Sequence, residues 1–111
     1  MLPKQYRLNT NEIAQFAKIV KRLQSELFVI KVWWDNSLEY PQFALAVGLK
    51  VSKSAVVRNT IKRKFRAALI EILKDSQPRK GKYLIIAKTP GLARISSKDI
   101  EKMLINLFWK A

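Results

Sequence analysis

Cysteine and histidine are both missing from this chain of 111 residues. Without cysteine there is no disulfide and no thiolate metal site. Without histidine the commonest general base and the commonest transition-metal ligand are gone. Acids are scarce: 8 Asp and Glu stand against 22 Lys and Arg, a formal net charge of +14. Three glycines occur in all, and none belongs to a phosphate-cradling glycine-rich motif. No apolar run reaches the roughly 18 residues that span a bilayer. The start, Met1-Leu2-Pro3-Lys4-Gln5-Tyr6-Arg7, has no apolar segment of a signal peptide. The expected location is the cytoplasm, with no membrane partner.

These absences weigh against chemistry by the chain alone. No nucleophile–base pair can be assembled. The acids are scattered, and Glu71 and Asp75 alone fall at i, i+4 on one helix. They could hold a metal, but the ordinary reading is a solvated last turn. Asp99 and Glu101 suit the first turn of a helix, where the dipole favours acids. The expectation is no catalytic residue, no metal site within the chain and no small-molecule ligand. The chain can still be the accessory of a catalyst made of something else.

A hydrophobic fraction of 49% supports a real core, and the length suits one domain over residues 1–111. Thr10 or Asn11 can cap a first helix with Ile13, Phe16, Ala17, Val20 and Leu23 at 3.6-residue spacing. Leu27 to Trp34, rich in β-branched and aromatic residues, reads as a strand. The turn cluster Asp35-Asn36-Ser37 follows, and Pro41 leads into a second strand, Gln42 to Leu49. A basic helix starts at Ser52 to Ser54 and runs to about Lys74, where Asp75-Ser76-Gln77-Pro78 stops it. Tyr83 to Ala87 is a short apolar run, the pattern of a buried central strand. After the turn Thr89-Pro90-Gly91, Ser96-Ser97-Lys98-Asp99 resembles a capping box. It opens a last helix with Ile100, Met103, Leu104, Leu107 and Phe108 as its buried stripe. The order α-β-β-α-β-α predicts an α+β fold, a two-layer sandwich of a small mixed sheet with helices largely on one face.

Charge is concentrated in the basic helix. No acid occurs from Tyr40 to Ile70, whereas Lys50, Lys53, Arg58, Lys62, Arg63, Lys64 and Arg66 all lie there. Arg58, Lys62 and Arg66 fall in one row at i, i+4 and i+8, and Asn59 and Arg63 in the adjacent row. Val57, Ile61, Phe65, Ala68, Leu69 and Ile72 form the opposing apolar stripe. Like charges at this spacing cost a few tenths of a kcal/mol per pair, so a helix that keeps three in a row is built to meet a polyanion. Nucleic acid and anionic membrane are the two candidates. Membrane is disfavoured because the helix's apolar stripe faces a core and the three Trp lie elsewhere.

The stretch Val56-Val57-Arg58-Asn59-Thr60-Ile61-Lys62-Arg63-Lys64-Phe65-Arg66 resembles the R-N-R-x-K-R-x-x-R-E signature of the protein subunit of bacterial ribonuclease P. The resemblance covers nearly the whole chain. Tyr6-Arg7-Leu8 is similar to the family's entry into its first helix, and Phe43 to Lys50 to the strand before the signature. Leu84-Ile85-Ile86-Ala87-Lys88 with Gly91 is similar to the late buried strand. The resemblance implies the family's sandwich, a fold shared with a ribosomal protein domain, and an accessory role in an endoribonuclease. The family protein binds a catalytic RNA, and together they remove the 5′ leader of precursor tRNA. The RNA hydrolyses the phosphodiester with Mg²⁺. The implied partners are ribonuclease P RNA and precursor tRNA. A ribosomal or other structural RNA-binding protein with no role in cleavage is the alternative.

On this resemblance Lys50, Lys53, Arg58, Asn59, Lys62, Arg63 and Arg66 bind the catalytic RNA. Arginine forks grip phosphate bidentately, and Asn59 suits a phosphate, a 2′-hydroxyl or hydrated Mg²⁺, unless it is a plain surface residue. The leader is expected in a cleft formed by Phe16, Lys31, Trp33, Ala46 and Gly48. Strand alternation puts Lys31 and Trp33 on one face and Ala44, Ala46 and Gly48 on a small-residue floor. Trp33 is either a stacking platform or core, and Phe16 either cleft or core. Four positions depart from the family pattern: Thr60 and Ala67 replace an Arg and an acid, Phe16 is the one aromatic of the first helix, and Leu49 precedes Lys50. These departures point to weaker or altered leader recognition.

Overall fold

Strand pairing in the computed structural model, which describes residues 2–8, 21–75 and 77–110, follows the hydrophobic alternation closely. The strands are β1 (Lys21–Gln24), β2 (Phe28–Trp34), β3 (Gln42–Ala46) and β4 (Gly81–Ala87). They lie in the order β1-β2-β4-β3, with β1 and β4 antiparallel to β2 and β3 parallel to β4. The helices are α1 (Ala55–Asp75) and α2 (Ser97–Lys110), with short 3₁₀ turns at Lys4–Tyr6 and Pro90–Arg94. This is the mixed sheet and α+β class expected.

Because side chains alternate across a sheet, the register gives it two distinct faces. Leu23, Phe28, Ile30, Val32, Phe43, Tyr83 and Ile85 point to the first face. There they meet Ile61, Phe65, Ala68, Leu69 and Ile72 of α1 and Ile100, Leu104 and Phe108 of α2 in one core. Phe28 and Phe65 meet edge-to-face at 5.3 Å, and Phe43 stacks on Tyr83 at 5.0 Å. Burial pushes the Tyr83 phenol well above its ordinary range, and its hydroxyl donates to the Arg79 carbonyl. The α1 stripe read from sequence is the buried face of that helix.

Local chemistry sets the ends of the elements. The Ser54 hydroxyl accepts from Val57 N at 3.3 Å and caps α1. Ser96 does the same for α2 through Asp99 N at 3.1 Å. Ser37 N donates to the Asp35 carboxylate at 3.0 Å, closing the turn after β2. Gly81 opens β4 where a Cβ would stand 2.7 Å from the Trp33 carbonyl oxygen, a close approach that only glycine allows.

Two expectations need correction. Leu23, placed on the first helix, lies in β1 opposite Ile30. A leucine at helical spacing also fits a strand whose neighbour offers an apolar partner, and the tight turn at Ser25, with Ser25 N on Phe28 O at 2.9 Å, supplies that neighbour. The rest of that helix, including Phe16, lies outside the described residues. The second strand ends at Ala46, not Leu49. Gly48 already belongs to a turn, with its carbonyl accepting from Val51 N at 3.0 Å.

Candidate nucleic-acid interface

The sequence folds α1 so that one element does two jobs. Its buried stripe fixes the helix on the core, and that fixes the direction of the opposite face. Arg58, Lys62 and Arg66 rise along the flank of the buried stripe, and Asn59 and Arg63 stand beside them, turned further outward. Asn59, Arg63 and Arg66 are exposed, and Arg58 and Lys62 are half-buried. Lys50 and Lys53 stand exposed in the segment that enters the helix. The structure thus gathers all seven expected RNA-binding residues on or next to one surface. Lys64, by contrast, turns toward the protein, where its ammonium donates to the Ala93 carbonyl.

No carboxylate among the described residues is paired with this surface. Among the described residues the single ion pair is Lys74–Glu71 at 3.1 Å, at the far end of α1. Arg58 Nε is enclosed and finds no hydrogen-bond partner among the described residues. Thr60, which stands where the signature has an arginine, spends its hydroxyl on the Val56 carbonyl at 2.8 Å. It adds no charge and no outward donor.

The second face of the sheet is different in kind. Register places Lys31, Trp33, Ala44, Ala46, Leu84 and Ile86 there, so three of the five expected cleft residues share this face. Leu8, Trp33, Ala44 and Leu84 form a small buried cluster, flanked by Ala46 and Ile86. Trp33 is 7% exposed, so packing, rather than an open ring surface, describes it here. Gly48 is exposed beyond the end of β3 and has open space around it.

Sequence reasoning missed two cations on this face. Arg22 of β1 lies directly opposite Lys31, and Lys82 of β4 directly opposite Trp33. Reading Lys21 to Gln24 as a strand would have exposed Arg22 through simple alternation, but four residues ahead of a turn give little periodicity. A nearby carboxylate, Asp35, is held below its usual range chiefly by hydrogen bonding from Ser37, with Lys82 adding a smaller pull.

Comparison with known proteins fits this geometry. A family model described as ribonuclease P matches residues 2–111. The chain belongs to the ribonuclease P protein family. A ribonuclease P protein component from a Pseudanabaena species is 32% identical over 114 residues, covering 100% of this chain and 95% of that protein. One from Enterococcus faecalis is 34% identical, covering 96% of this chain and 88% of its own. The fold agrees with the ribonuclease P protein of Thermotoga maritima, with a TM-score of 0.76 at 23% identity over 95% of this chain and 96% of that one. The Staphylococcus aureus protein gives 0.71 at 21% identity over 92% and 91%. This family supplies the protein component of an endoribonuclease that is a ribonucleoprotein, so ribonuclease P RNA is the partner. No helix among the described residues is long and apolar enough to cross a membrane.

Proposed function

We propose that this chain holds ribonuclease P RNA on the outward face of α1 and receives the 5′ leader of precursor tRNA on the second face of the sheet. The observation that carries the reading is the row Arg58, Lys62 and Arg66, flanked by Asn59 and Arg63, with no carboxylate paired to any of them among the described residues. A folded protein normally mixes charge signs on its surface. A one-sign row that survives folding is a site for phosphates, each worth roughly 0.7 to 0.9 in the slope of log affinity against log salt.

Lys31 and Arg22 would steer the leader backbone, and the small side chain of Ala46 would let it lie close to the sheet. Hydrolysis belongs to the RNA, aided by Mg²⁺. The described residues form no group of three or more His, Cys, Asp or Glu that could hold a metal. The compartment is the cytoplasm.

The test is cleavage of a leader-bearing precursor tRNA by a bacterial ribonuclease P RNA at low Mg²⁺, with and without this protein. Wild type should restore cleavage, and a variant with Arg58, Lys62 and Arg66 changed to Ala should not. No rescue with a matched RNA would favour the general RNA-binding alternative.

A further inference from the structure

Between the two surfaces lies a cavity of 340 Å³, lined by Leu2, Arg7, Leu8, Phe43, Ala44, Leu45, Lys62 and Arg66. Its walls come from three places. The N-terminal segment runs along the outer edge of β3, where Arg7 pairs with Phe43 in a parallel bridge and Leu8 N donates to Phe43 O at 2.9 Å. Lys62 and Arg66 descend from the cationic face of α1. Leu8 and Ala44 belong also to the small cluster on the second face of the sheet. The cavity therefore joins the two surfaces.

Its chemistry is that of a nucleotide site. Three cations, Arg7, Lys62 and Arg66, meet over a floor of apolar side chains, and among the described residues no acid lines it. Arg7 is oriented by its own Nε, which donates to the Leu2 carbonyl at 2.8 Å and leaves the outer guanidinium nitrogens for another acceptor. The volume falls in the range of about 300–1,000 Å³ in which small ligands are held. Bases of single-stranded RNA can be splayed from their neighbours and seated one at a time.

We propose that this cavity seats one nucleotide of the single-stranded leader as it passes from the sheet toward α1, with Arg7 and Arg66 on its phosphate. Arg7 is the new binding residue. The inference rests on the leader reading above, and its ligand chemistry is a nucleoside phosphate within a chain.

The experiment has two arms. In the first, leader-bearing and leaderless precursor tRNA are bound to holoenzyme carrying wild type, Arg7→Gln or Arg7→Lys, with hydroxyl-radical footprinting of the leader. Gln keeps a donor for Leu2 O, and melting curves check the fold. Arg7→Gln should weaken leader-bearing substrate by roughly ten- to a hundredfold, as expected for a charged hydrogen bond, and expose one localised leader position. Arg7→Lys should recover part of the loss. Leaderless substrate should bind equally to all three. An unchanged footprint, with leader binding within twofold of wild type, overturns the inference. If wild type itself shows no leader-dependent gain, the leader reading fails instead. The second arm needs no variant. A uridine hexamer should shift the amide resonances of Leu8, Ala44 and Leu45 in the wild-type protein, and uridine monophosphate at the same concentration should shift them far less. Shifts confined to α1 overturn the inference, and equal shifts with the monophosphate assign the cavity to a free nucleotide and overturn the leader assignment.

Discussion

The outward face of α1 and the second face of the sheet both offer cations to RNA, yet they are made differently. On α1 the charges stand on an element held entirely from behind, by Ile61, Phe65 and Leu69. Arg63 and Arg66 stand exposed and Arg58 and Lys62 are half-buried, so most of the charge is left free for binding. On the sheet the cations Arg22 and Lys31 share a face with Trp33, Ala44 and Leu84, which pack against one another. There, binding and packing compete for the same few positions. The first surface suits a large, fixed RNA gripped through many phosphates. The second suits a short, variable strand laid over apolar side chains.

The sharpest separation should come from the two sides of α1. Phe65→Ala removes a buried ring and should cost about 3–5 kcal/mol in urea unfolding, while leaving the outward cations in place. Next in size, changing Arg58, Lys62 and Arg66 together to Ala should lower affinity for ribonuclease P RNA by roughly a hundredfold at low salt, with the salt slope falling by roughly 2 to 3. Filter binding across a salt series reads both numbers. Unfolding of this variant should be unchanged or slightly harder, because two i, i+4 like-charge pairs disappear. A large loss of stability would break the claim that this row serves binding more than packing.

Arg22→Ala tests the sheet face. Directly opposed like charges destabilise antiparallel strands, so removing Arg22 should raise the melting temperature slightly while cutting the leader-dependent gain in binding several-fold. A loss of both would mean that Arg22 is structural. Smallest of all, Ser96→Ala deletes the α2 cap and should cost about 1 kcal/mol of stability with RNA binding intact.

The α1 surface was legible in the sequence because charge and packing share one helix and one period. A single periodicity shows both the stripe from Val57 to Ile72 and the row beside it. The first face of the sheet was legible too, since alternation in Phe28 to Trp34 survives in the observed register. The second face was only half legible. Its cations come from three strands, and Arg22 meets Lys31 only through pairing that a chain read in order does not display. Leu23 fitted a helical period as well as a strand, and its pairing with Ile30 decided the matter. Gly48 fell off the expected floor because β3 ends at Ala46. The Arg7 cavity was illegible, for it needs residues 2, 7, 44, 62 and 66 in one place.

One measurement tests the division of labour most directly. Affinities for ribonuclease P RNA, and for leader-bearing and leaderless precursor tRNA in the holoenzyme, should be compared between the α1 triple variant and an Arg22→Ala, Lys31→Ala double variant. The account predicts that the α1 variant loses the catalytic RNA, whereas the sheet variant keeps it and loses only the leader-dependent gain. A sheet variant that releases the catalytic RNA as readily as the α1 variant, or an α1 variant that holds it normally, would contradict the account.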